Sequence, residues 1–176
     1  LDGDVALAMD VLRPGQTLVW RRPPWDEPTV PLGFAILHRD DLLLAVAKPR
    51  GLPSVPNGGF LEHTLLFRVR RLHPEAVPMH RLGRGTSGLV LFARTDGSRR
   101  AVAAQWRRGG VEKEYRALVR GVPGHDAFTI ETPIGLVPHP RLGRVHAASP
   151  AGKPAVSRVR VLARRGEGAL VAVTIP

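Results

Sequence analysis

The apolar residues of this chain come in short runs, each closed by glycine, proline or a charge, so it can build short strands and helices but nothing long. Leu42-Leu43-Leu44-Ala45-Val46-Ala47 is followed by Lys48-Pro49-Arg50-Gly51, and Gly88-Leu89-Val90-Leu91-Phe92-Ala93 is a second continuous run. Runs of this length bounded by turn residues read as buried strands. Val111, Lys113, Tyr115, Ala117 and Val119 alternate with Glu112, Glu114, Arg116 and Arg120, the period-two pattern of a strand buried on one face. Further strands are expected at 127–130, 156–162 and 169–175, the last two joined by a turn at 164–168. Helical spacing appears twice. Leu61, Leu65, Val69 and Leu72 recur until Pro74 stops the helix, and 99–108 follows Ser98 as N-cap and ends at Gly109-Gly110. Strands dominate, with two short helices between them.

At 176 residues the chain is one domain, or one domain with an appendage. Its 43% hydrophobic content excludes a disordered chain, and no apolar run approaches the roughly 18 residues that span a bilayer. Asp2 and Asp4 stand where a secretory signal would be basic, so a cytoplasmic location is expected. With no cysteine there is no disulfide framework and no thiolate ligand. His63, His73, His125, His139 and His146 lack metal-ligand spacing, so no metal is expected. The net charge of +11 points to a polyanionic partner. Only Lys48, Lys113 and Lys153 of the 26 cations are lysines, which leaves 23 arginines. Arginine's planar fork suits phosphate and can stack on bases. Coding bias in a GC-rich genome would enrich arginine too, so charge alone does not separate RNA from DNA.

Between the first helix and the second apolar run lies His80-Arg81-Leu82-Gly83-Arg84-Gly85-Thr86-Ser87, a loop that leads directly into the strand. With that strand it reads HRLGRGTSGLVLFA and resembles the signature of the RluA-type pseudouridine synthases, HRLD-(x)2-TSG followed by an apolar strand. Three more stretches are similar in the same order. They are Asp40 through Leu52 (DDLLLAVAKPRGL), Lys113-Glu114-Tyr115-Arg116-Ala117-Leu118-Val119, and Pro133-Ile134 with Gly152-Lys153-Pro154-Ala155. The resemblance covers residues 37–176. It implies an α+β fold with a mixed, largely antiparallel sheet and peripheral helices, a structured RNA substrate (ribosomal or transfer RNA), and no cofactor. A monomer is expected.

Pseudouridine formation breaks the C1′–N1 bond of uridine, rotates the uracil and rejoins it through C5. A carboxylate suits this chemistry as a nucleophile or as a stabiliser of charge on the sugar. It must sit on a rigid element beside a flipped-out base. The resemblance places the catalytic Asp at the position of Gly83, and glycine supplies no carboxylate. Gly83 also reads as a tight-turn residue at positive φ. Asp96, Glu62 and Glu75 are the neighbouring acids, each in another loop or helix.

By resemblance, Arg81 is the arginine that enters the RNA helix in place of the flipped nucleotide. Tyr115 is the tyrosine that packs on the target uracil and assists at C5, and Lys48 is the loop lysine that opens the domain. Read from the residues alone, Arg81 could serve in an ion pair, Tyr115 in the core and Lys48 in solvent. Lys113 shares a face with Tyr115. Arg84 contacts phosphate or is solvated. Arg107 and Arg108, with Arg99 and Arg100 earlier on the helix, form either a phosphate-binding cluster or a solvated face. His80 reads as a hydrogen-bonded loop anchor, and Thr86 and Ser87 as residues that fix the turn.

Residues 1–32 read as an N-terminal arm or the tail of a small RNA-binding domain, with a turn at Pro14-Gly15, a short strand after it, and a proline-punctuated connector over 21–28. Residues 33–176 read as the catalytic domain. The first residue is Leu1 rather than Met, and the last strand stops where the family strand continues into a GRxHQIR-like motif, so a C-terminally incomplete domain is expected. Two functions compete. One is an RNA pseudouridine synthase impaired at Gly83; the other is a non-catalytic RNA-binding relative acting in ribosome assembly or RNA chaperoning. A DNA-binding module has no helix-turn-helix or zinc-finger pattern behind it.

Overall fold

A computed structural model describes residues 5–19, 25–141 and 143–175. Its elements in chain order are β1 (Ala35–Arg39), β2 (Leu43–Lys48), α1 (Leu65–Arg70), β3 (Val77–Pro78), β4 (Gly88–Ala93), α2 (Asp96–Arg107), β5 (Lys113–Arg120), β6 (Ala127–Ile130), β7 (Ile134–His139), β8 (Gly143–Ala148), β9 (Ser157–Arg165) and β10 (Gly168–Ile175). The class is α+β, as expected. The pairs β1–β2, β5–β10, β9–β10, β6–β9 and β7–β8 are all antiparallel. The chain divides into two compact units, Leu1–Asp40 with Leu44–Phe92, and Asp41–Leu43 with Ala93–Pro176.

The first unit is built on a sheet in the order β1-β2-β4-β3. The two continuous apolar runs, β2 and β4, take its central places, where both faces of a strand are covered. Leu44 and Val46 from β2, Val90 and Phe92 from β4, and Leu65 and Val69 from α1 are wholly buried. The burial of β4 is uneven, since Leu89 near its start is exposed. The first helix is shorter than its apolar spacing predicts. Thr64 is the N-cap, its hydroxyl accepting from Phe67 N–H, and residues 61–63 lie outside the helix. Leu61 and Leu72, the expected ends of the stripe, are exposed. Within 5–19 the turn at Pro14-Gly15 is present, with Gly15 at φ 87. The strand expected after it does not form, and Leu18 and Val19 are exposed without sheet partners. The part of the connector at 21–24 lies outside the described residues.

In the second unit α2 begins earlier than expected because Thr95, not Ser98, caps it. The Thr95 hydroxyl accepts from Ser98 N–H at 3.0 Å, and the Ser98 hydroxyl accepts from Thr95 N–H at 3.2 Å. Such reciprocal capping satisfies two backbone donors at the helix start. A sheet in the order β5-β10-β9-β6 follows. Val159, Ala169 and Val171 are its buried centre, packed by Ala117, Val119, Phe128, Val161 and Val173. The alternation along β5 holds, with Lys113, Tyr115, Ala117 and Val119 on the more buried face. The β7–β8 hairpin has no counterpart among the elements expected from sequence.

Candidate active-site cleft

Residues 80–87 form no regular element, yet their backbone is secured at several points. His80 Nε2 accepts from Leu91 N–H at 3.1 Å, which ties the loop's start to β4 as the anchor reading requires. The bond also makes Nε2 the unprotonated ring nitrogen. Leu82 is buried, and Ser54 holds it twice: the Ser54 hydroxyl donates to Leu82 C=O at 2.7 Å and accepts from Leu82 N–H at 3.0 Å. Gly51 N–H donates to Arg84 C=O at 2.7 Å. Thr86 N–H donates to Gly83 C=O at 3.0 Å and closes the turn. Gly83 therefore sits between two residues whose backbone is fixed from the neighbouring 49–54 loop.

Around this loop opens a cleft of about 510 Å³. Arg81, Gly83 and Arg84 line one side, and Ser54, Asn57 and Phe60 line the other. The Arg84 guanidinium lies over the Phe60 ring, 5.7 Å from its centroid, in cation–π range. Among the described residues, no Asp or Glu lines the cleft. The positive-φ reading of Gly83 is corrected. Its φ is not positive, and a Cβ built there would meet only Thr86 Oγ1 at 3.7 Å, an ordinary contact. Nothing in the local backbone demands glycine.

Lys48 departs from the expected RNA contact. It is 1% exposed, and its ammonium donates to Leu52 C=O at 2.6 Å and Pro49 C=O at 3.0 Å. Burial pushes its pKa below the usual lysine value. Lys48 thus braces the loop that in turn holds Arg84. The other expected residues fall in the second unit. Tyr115 and Lys113 are neighbours on one face of β5, opposite Val173 and Ile175 of β10. Arg107 and Arg108 end α2 and are exposed. Arg99, from the same expected cluster, is paired with Asp96 at 3.0 Å. Ser54 and Phe60 escaped the sequence reading, because nothing local marks a serine or phenylalanine whose partners lie 24–28 residues along the chain.

Known proteins share both the pattern and the shape. The model of a family described as RNA pseudouridylate synthase matches residues 42–176. An uncharacterized RNA pseudouridine synthase of Synechocystis is 42% identical over 99% of this chain and 61% of its own length. RNA pseudouridine synthase 5 of rice is 38% identical over 93% of this chain and 50% of its own. The dual-specificity RNA pseudouridine synthase RluA of Escherichia coli is 33% identical over 73% and 59%. The chain thus spans about half to three-fifths of these relatives. Human RNA pseudouridylate synthase domain containing 4 superposes with a TM-score of 0.61 at 26% identity, covering 80% of this chain and 58% of that one. From the matched residues and the shared fold, the chain belongs to the RNA pseudouridine synthase family, among relatives of the RluA type.

Proposed function

We propose that this protein binds structured RNA through the cleft formed by Arg81, Arg84 and Phe60, and that its uridine isomerisation is impaired because position 83 carries no carboxylate. The observation behind this reading is the cleft itself. Two arginines flank Gly83 on a braced loop, and among the described residues no acid lines the cleft to take over. In the cleft Arg81 enters the RNA in place of the flipped base and Arg84 holds phosphate. By the family resemblance Tyr115 is a uracil-packing residue, and Lys113, Arg107 and Arg108 are phosphate contacts. Loss of a covalent or charge-stabilising group costs on the order of 10⁴-fold or more in turnover. The missing acid equally favours a second reading, a non-catalytic RNA-binding relative in ribosome assembly or RNA chaperoning.

Tritium release from C5-labelled uridine in cellular RNA distinguishes them, using the chain beside its Gly83→Asp variant. The variant's melting temperature is expected to stay within a few degrees of the parent, since the site accepts a Cβ without strain. Release from the variant alone is the expected result and identifies a synthase disabled at one residue. Release from both would mean that another residue supplies the carboxylate and would overturn the impairment. Release from neither, with RNA still bound, favours the non-catalytic reading.

A further inference from the structure

Residues 25–31 touch the chain at Gly51 and at 59–63, on the Ser54–Phe60 side of the cleft. Trp25 Nε1 donates to Gly59 C=O at 3.0 Å. The Glu27 carboxylate accepts three successive backbone donors, Leu61 N–H at 3.0 Å, Glu62 N–H at 2.8 Å and His63 N–H at 2.8 Å. His63 Nδ1 lies 3.0 Å from Pro28 C=O. Pro31 packs on Gly51, where an added Cβ would come within 3.1 Å of the proline Cδ. Gly51 is the residue that holds Arg84.

The loop so secured has little to order it from within. Asn57 and Phe60 exchange backbone hydrogen bonds at 3.1 and 3.2 Å around Gly58-Gly59. Both glycines are at positive φ, with nothing within 4 Å of where a Cβ would stand. Glycine pairs lose the most backbone freedom on ordering. Phe60, at the end of this turn, is the ring beneath the Arg84 guanidinium. Desolvation of Glu27 opposes its charge, but the three N–H donors and nearby His63 outweigh it, and the carboxylate titrates below its ordinary range.

We propose that Trp25 and Glu27 are positioning residues for RNA binding: their strap fixes the 57–60 turn so that Phe60 presents Arg84 to the RNA. The role rests on the RNA-binding reading above. The strap precedes residue 42, where the family match begins.

The test is a double-mutant cycle on the whole chain with bulk tRNA as the probe. Affinity is measured by fluorescence anisotropy, alongside hydrogen exchange at the amides of residues 61–63 and the melting temperature. Glu27→Gln is expected to speed exchange at those amides about tenfold and weaken RNA binding about fivefold. In an Arg84→Gln background the same change should cost less than twofold, because the strap acts through Arg84. Trp25→Phe, which keeps the ring and loses the indole donor, should show the same dependence on Arg84 with a smaller effect. Equal losses in both backgrounds would make the strap a general stabiliser and overturn its positioning role. So would unchanged affinity with exposed amides. Failure of the unchanged chain to bind RNA would overturn the parent reading and this role together.

Discussion

Around position 83 the residues on either side are held by a neighbouring loop, while the position itself gives the turn a backbone carbonyl and no side chain. Leu82 is held by Ser54 and Arg84 by Gly51, and the Cα between them has room for a side chain. Behind Gly51 stands Lys48, whose buried ammonium spans two carbonyls of the same loop. Lys48→Met would leave both carbonyls without their donor and should destabilise the protein by about 2–4 kcal/mol, read by chemical denaturation. The pH dependence has a definite sign. Burial lowers the folded pKa beneath the ordinary lysine value of 10.5, so between the two values the unfolded chain holds more protons than the folded one. Stability attributable to Lys48 therefore rises with pH through that window and falls as pH drops through the folded value. Lys48→Met should remove this slope, and an unchanged slope in the variant would assign it to other groups.

The helices show how side chains outside a periodic stripe decide where an element begins. Helix α1 starts at Leu65 because Thr64 caps it, and Glu27 takes the three amides before that. Helix α2 starts at Asp96 because Thr95 and Ser98 cap reciprocally. Thr95→Ala removes one half of that pair and should cost about 1 kcal/mol, seen as a lower midpoint in a circular-dichroism melt. Ser98→Ala removes the other half and should cost less, since the Thr95 hydroxyl still accepts from the residue 98 amide. Equal effects from both would mean that the Ser98 side chain contributes as much as the cap.

At the scale of the whole molecule the net charge of +11 makes association with RNA strongly dependent on salt. Most of that field is delocalised over exposed arginines, while Arg81 and Arg84 converge on the cleft. Replacing both with glutamine should lower the slope of log K against log salt by about two and weaken binding to structured RNA at every salt concentration. Replacing Arg107 and Arg108 should lower the slope similarly if both contact phosphate. A slope untouched by the Arg81 and Arg84 changes would place the RNA elsewhere on the surface. No helix among the described residues is long and apolar enough to cross a membrane.

The central strands and the fold class were legible in local spacing, and the family in its motifs, whereas the β7–β8 hairpin was not. Continuous apolar runs became the central strands β2 and β4, alternation became β5, and the 80–93 motif carried the family with it. The absent carboxylate was legible too, as a matter of residue identity. Tertiary structure decided what depends on groups far apart in the chain. Lys48 looked like a surface cation, but folding put backbone carbonyls around it and closed it from water. Gly83 looked like a positive-φ glycine, but its φ is not positive, and bonds from residues 51 and 54 hold the residues on either side of it. Glu27 and Trp25 looked like parts of a connector until folding set them against amides and a carbonyl 34–36 residues away. Periodicity records which face of an element avoids water; it holds no record of which distant backbone group a single polar side chain will meet.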